Sequence, residues 1–199
     1  MSGLQGALGF SLHTGWAAAV AVIRDGDKIE AVFRRQLELM PANDSRFVYH
    51  RAAELSFEEA AALVESAQTS VRDTAQRVIR EMLDSIKLRI RSAGIPVSAK
   101  ALPNDLSKIL ASHALIHAAE GRLFQDAVVR GCGGAGLAAV CIDTREIWPK
   151  ASRLCRVDEK SIRAAIEGIG KTIGPPWTAD QKIATAAGLV ALLEANPIS

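Results

Sequence analysis

The rhythm of hydrophobic and polar positions changes several times along the chain, and each change predicts an element. From Ala7 to Leu39 the apolar residues come in short strand-like runs separated by polar turns, "ALGFSLHTG" and then "WAAAVAVIRDGDKIEAVFRRQLEL". Asp25-Gly26 between two such runs is a strong hairpin signal. Residues 7–39 therefore predict three successive strands in an antiparallel meander. Residues 40–55, "MPANDSRFVYHRAAEL", contain Pro41, Asn43 and Asp44 and predict a loop or a short irregular helix.

A helical period takes over at Ser56. Phe57, Ala60, Val64, Ala67, Val71, Ala75, Val78, Met82, Ile86 and Ile90 recur at three- and four-residue steps. Ser56 and Glu59 form a capping box, and Gly94 and Pro96 are stop signals, so a helix is predicted over 56–92. At 1.5 Å per residue it would run roughly 55 Å, which predicts a bend near Gln68.

A short strand at 95–102 follows, then a helix capped by Asn104 that reaches Arg130 with an interruption around Ser112. "GCGGAG" (131–136) reads as a helix stop and turn. It follows a helix and lacks the Lys-Ser/Thr pair, so it is no phosphate loop. "LAAVCID" (137–143) predicts a buried strand carrying Cys141. Helical character then fills 157–170 and 178–195, with Thr178 and Gln181 as a second capping box after "PPW". The order β-β-β-α-β-α-β-α predicts an α/β fold with a mixed sheet: a three-strand antiparallel meander, added parallel strands, and helices on both faces.

Composition narrows the setting. The chain has 199 residues, 49% apolar and 23% charged, which predicts a single globular domain over 1–199. Lys and Arg number 24 against 22 Asp and Glu, a net charge of +2. That balance makes no electrostatic case for gripping a long nucleic acid, although it leaves room for a local basic patch. Cys132, Cys141 and Cys155 are an odd, sparse set without metal-finger spacing, as expected of a reducing interior. The first residues, "MSGLQGALGF", lack a basic region and a long apolar run, and no stretch is apolar enough to span a bilayer. A cytoplasmic protein without a membrane partner is the expectation.

The candidate chemistry centres on histidine. In "SHALIHAAEG" (112–121), His113, His117 and Glu120 stand at i, i+4 and i+7, so they project from one helical face. His113 and His117 could hold a divalent ion with Glu120 as a third ligand, or His117 could act as a general base oriented by Glu120. A purely structural hydrogen-bond network would use the same residues. In "SLHTGW", Ser11, His13 and Thr14 border a Gly-containing turn able to aim backbone N–H groups at an anion, or to serve as a plain turn. His50 and Arg51 in "FVYHRAAE" pair a titratable ring with a guanidinium suited to carboxylate or phosphate. In "GPPWTADQK", Asp180 suits the positive end of a helix, and Lys182 lies one step inside.

The element order resembles the ribonuclease H-like superfamily, which takes in Holliday-junction resolvases, transposase cores and the actin/hsp70 ATPases. The strings "SLHTGWAA", "FVYHRAAE", "SHALIHAAEG" and "PPWTADQK" are also similar to those of a family of bacterial hypothetical proteins that carries no assigned reaction. The superfamily resemblance implies a three-layer fold whose first strand ends in a metal-binding aspartate in the nucleases. Here that position is Ser11. It also implies an acidic residue opening the last helix in resolvase-type enzymes, matched by Asp180. It further implies that the end of the first strand, the loop after the meander and the start of the last helix converge at one sheet edge.

The leading expectation is thus one site for a small anionic or phosphate-containing ligand. His117, His13, Glu120 and Asp180 would be its acid/base and orienting groups, and Ser11, Thr14, His50, Arg51, His113 and Lys182 its ligand contacts. A divergent metal-dependent nuclease of the resolvase type is the second expectation, and a non-catalytic module or homo-oligomer the third. No cofactor is assigned beyond a possible divalent metal.

Overall fold

The computed structural model describes residues 5–25, 28–41 and 44–195. The meander forms as β1 (Gln5–His13), β2 (Trp16–Asp25) and β3 (Lys28–Glu38), with Asp25 opposite Lys28 across the second hairpin. The turn residues of that hairpin, 26 and 27, lie outside the described residues. After α1 (Val48–Ala52) and α2 (Phe57–Ser85) come β4 (Arg89–Val97), α3 (Leu106–Leu110), α4 (His113–Gly134) and β5 (Ala138–Asp143). The chain then forms α5 (Ile147–Cys155), α6 (Glu159–Ile173) and α7 (Ala179–Ala195). The sheet order is β3-β2-β1-β4-β5, with β1, β4 and β5 mutually parallel.

Strand alternation assigns the layers, because successive side chains point to opposite faces. Leu8, Phe10, Ala19, Ala21, Ala93 and Ile95 join the core that covers α1, α2 and α4. Ala7, Val20 and Val22 pack with Ala184 and Ala191 of α7 on the other face. Ile142 at the sheet edge joins α5, α6 and α7. Three layers result, with α1–α4 on one side and α5–α7 on the other.

Helix α7 lies unusually close to the sheet. A Cβ built on Gly9 would sit 1.8 Å from the Ala184 carbonyl oxygen, and one on Gly94 would sit 1.9 Å from that of Ala187. Only glycine at both strand positions lets the helix backbone rest on β1 and β4. Ser92, buried in β4, donates to the Ala191 carbonyl at 3.1 Å and fixes the helix along its length.

Several expected boundaries move. The Ser56–Glu59 capping box is present, but α2 ends at Ser85 and runs unbroken past Gln68. From Ile86 the chain is extended and β4 begins at Arg89, so Ile90 belongs to a strand, whose apolar residues can be mistaken for a helical stripe over so few positions. Gly94 and Pro96 accordingly lie inside β4 and do not stop a helix. Pro96 is tolerated because the β1 pairing ends at Gly9–Gly94, leaving β5 as the flanking strand at that point.

Asp105 caps α3 through Ser107 N, in place of Asn104. The interruption at Ser112 is real, since Ser112 is the N-cap of α4. That helix continues through Gly131–Gly134, where a Cβ on Gly131 would come within 3.2 Å of the α2 backbone at Ala75. Those glycines serve close helix packing; the left-handed turn comes only at Gly136. β5 is an edge strand and mostly exposed, Cys141 included, contrary to the buried strand expected. α5 escaped the sequence pattern because Pro149 interrupts it, yet proline sits in the first turn, where its missing N–H costs no helical bond.

Candidate functional site

The first cluster forms where β1 and β4 part. Beyond Gly9–Gly94 the two strands no longer pair, and a cleft of about 280 Å³ opens there. Its lining includes Ser11, His13, Pro96, Gln125, Thr144 and Asp180. This is the carboxyl edge of the parallel strands, where open α/β sheets place their ligands.

Ser11 and His13 follow Gly9 on the face of β1 covered by α7. The start of α7 is fixed from several sides. Arg34 of β3 donates to the carbonyls of Ile173 (2.8 Å) and Pro175, and Trp177 Nε1 donates to Ile166 O at 3.1 Å. Thr178 N donates to the Gln181 side chain at 2.9 Å, and Thr178 Oγ1 accepts from Asp180 N at 3.3 Å, completing the predicted cap.

Asp180 consequently meets the end of β1. Its Oδ1 accepts the Ser11 hydroxyl at 3.0 Å and His13 Nε2 at 2.7 Å. The His13 ring stacks on Trp16 with centroids 4.1 Å apart and planes 7° from parallel. An ionised carboxylate can only accept, so Nε2 carries the proton in this bond and Nδ1 is the basic nitrogen of the neutral ring. The carboxylate and the indole together hold the imidazole in one plane and one tautomer. Ser11 bonds the aspartate and not the histidine, so the trio lacks the relay that activates a serine nucleophile.

The second cluster lies in the other helical layer. Glu120 of α4 is 2% exposed. Its Oε1 accepts from His50 Nδ1 at 2.8 Å and from His50 N at 3.3 Å. His50, His113 and His117 lie edge-on to one another, with ring centroids 4.4 to 5.5 Å apart. One potential ligand nitrogen from each falls within 4.8 Å of the others. Glu120 is thus turned toward His50, and His50 takes the third place beside His113 and His117 that the sequence had given to the glutamate.

The residues expected in one hollow are therefore split by the sheet. Ser11, His13 and Asp180 face α7, whereas His50, His113, His117 and Glu120 stand with α1 and α4. Gln125 of α4 reaches the cleft, but the histidines lie 8 to 12 residues upstream, about 12–18 Å along the helix axis.

Three expected contacts belong to neither cluster. Arg51 lines a groove with Met40 and Ser66. Lys182 is paired with Glu167 of α6 at 2.6 Å. Thr14 lies in the two-residue link between β1 and β2, where Gly15 takes φ +89° and its carbonyl accepts Leu39 N at 2.9 Å. Trp16, Gln125 and Thr144 are the cleft-side residues that sequence reasoning missed. Trp16 alone had a signal, its place three residues past His13 across a tight two-residue turn.

The five-stranded mixed sheet and its helical layers define a ribonuclease H-like α/β fold. The solved structures it matches include RuvC of Thermus thermophilus, at TM-score 0.53 and 10% identity over 94% of this chain and 92% of that one. The same protein in complex with a Holliday-junction substrate matches at TM-score 0.52 and 10% identity, over 94% and 90%. No protein-family model and no curated protein sequence matches this chain.

The superfamily resemblance implies nuclease metals held by a carboxylate at the end of β1. The donors present do not fit that arrangement. Ser11 supplies a neutral hydroxyl, and Asp180 Oδ1 is already shared by Ser11 and His13. One carboxylate is too little negative charge for a pair of divalent ions, which favour several carboxylate oxygens.

Proposed function

We propose that the protein acts on a branched or distorted nucleic acid, binding a phosphodiester at the cleft between β1 and β4 with His13 as the acid/base group. The observation that carries this is the 2.7 Å bond from His13 Nε2 to Asp180 at the mouth of that cleft. With Nε2 committed to the carboxylate, Nδ1 takes a proton from an attacking water; as that oxygen bonds to phosphorus, the P–O bond to one strand end breaks and the departing oxygen takes its proton from solvent. The imidazolium so formed is held by Asp180 and by the Trp16 face, which favours a cation stacked on it.

The surroundings support a phosphate-bearing substrate. Lys100 stands exposed on the loop that continues β4 past the cleft, where Arg122 braces that loop through the Ser98 and Lys100 carbonyls; Arg145, after β5, is paired with Asp143 at 3.4 Å. The net charge of +2 is thus consistent with local attraction at one edge. The likeness to RuvC, solved with a Holliday-junction substrate, is why a branched nucleic acid is chosen over other phosphodiesters.

One observation favours a second reading. A cleft of about 280 Å³ is near the lower limit of small-ligand pockets, which suits a single nucleotide or another small phosphate ester.

Binding assays with fluorescent four-way-junction DNA, linear duplex and a mononucleotide separate the two. Tight junction binding is expected, with log K falling as log salt rises at a slope of about −2 for two neutralised phosphates. Equal, weak binding to junction and duplex, with tight mononucleotide binding, would favour the second reading.

A further inference from the structure

The histidine cluster is a site in its own right, remote from the cleft and independent of the function proposed there. We propose that His50, His113 and His117 bind a divalent transition metal of the zinc type, with Glu120 orienting His50 from behind.

Three imidazoles are a donor set that zinc takes readily, leaving a fourth position for water or substrate. His50 Nδ1 is engaged by Glu120, so its Nε2 is the nitrogen left for a metal. A carboxylate on the far ring nitrogen is the usual support of a metal-bound histidine, fixing its tautomer and raising its basicity. Here that support is specific: Glu120 is 2% exposed and also takes the His50 backbone N–H.

The geometry is close to closure. Nitrogens bound tetrahedrally at 2.0–2.1 Å lie about 3.4 Å apart, so the outermost pair must approach by about 1.4 Å from the present 4.8 Å limit. His113 and His117 are exposed on the first turns of α4 and can swing without disturbing the core. The partial positive charge of that helix start opposes a cation, while the Glu120 carboxyl accepts from His50 on the same side. Phe47 stands edge-on to His50 at 5.9 Å.

Zn²⁺ and Co²⁺ titrations of the chelator-stripped full chain test this, by calorimetry and by the visible absorption of bound Co²⁺. One metal per chain is expected, with the intense bands of four-coordinate Co²⁺. His113→Ala and His117→Ala should each weaken binding at least 100-fold, and Glu120→Gln by 10- to 100-fold. Asp180→Asn should leave it unchanged. Absence of binding in the wild type, binding retained in the His113→Ala/His117→Ala double variant, or binding lost only in Asp180→Asn would overturn the proposal. Because His113 and His117 are exposed, those variants remain decisive even where Glu120→Gln fails to fold.

Discussion

Gly9 of β1 lies so close to Ala184 of α7 that a single added methyl would overlap the helix carbonyl, at 1.8 Å. This contact sets the height of α7 above the sheet, and so the position of Asp180 one turn upstream. Gly9→Ala should therefore destabilise by at least about 3 kcal/mol, the upper range of core overpacking, or prevent folding. Gly121→Ala in α4, where a Cβ meets nothing within 4 Å, should instead gain up to about 1 kcal/mol. Urea midpoints of the two variants check both signs.

Glu120 and His50 join elements 70 residues apart. Removing the carboxylate leaves the His50 N–H groups without their acceptor and frees α1 from α4. Glu120→Ala should cost about 1–3 kcal/mol in metal-free protein, read from chemical denaturation with chelator present. An unchanged midpoint would show that the buried carboxylate does not anchor α1.

The cation beside Asp180 has a different partner. Lys182 is held by Glu167, so Lys182→Ala should leave affinity for junction DNA within about twofold, as expected for an exposed ion pair worth less than about 1 kcal/mol. A tenfold loss would return Lys182 to the cleft.

The thiols differ in environment. Burial pushes Cys132 up to about 12 and also raises Cys155, while Cys141 is exposed on the edge strand. The thiolate is the reactive form. At pH 8 a thiol reagent should modify Cys141 first and Cys155 more slowly, and reach Cys132 only on unfolding. Mass spectrometry of the timed products reads the order.

The meander, the two capping boxes and the break at Ser112 were legible because each rests on local pattern or local hydrogen bonding. The start of β4 was not. Ile86 and Ile90 continue the helical stripe, but Ile86 is the extended C-cap of α2 and Ile90 pairs with Gly6 of β1. At the site, Ser11 and His13 stand on one face of β1 with Gly9. Nothing local reveals that α7 covers that face while α4 covers the other, so the sequence merged two clusters into one. The Glu120–His50 bond was hidden for the same reason: helical spacing relates Glu120 to His117, whereas its partner arrives from a separate helix.

Incubating four-way-junction DNA with wild type, His13→Ala and Asp180→Asn, and resolving the strands by denaturing gel, tests the cleft most directly. The expected result is strand cleavage by the wild type and a loss of at least 100-fold in both variants, with junction binding kept in His13→Ala. No cleavage by the wild type with or without divalent metal, or full activity in both variants, would contradict a phosphodiester chemistry at His13 and Asp180.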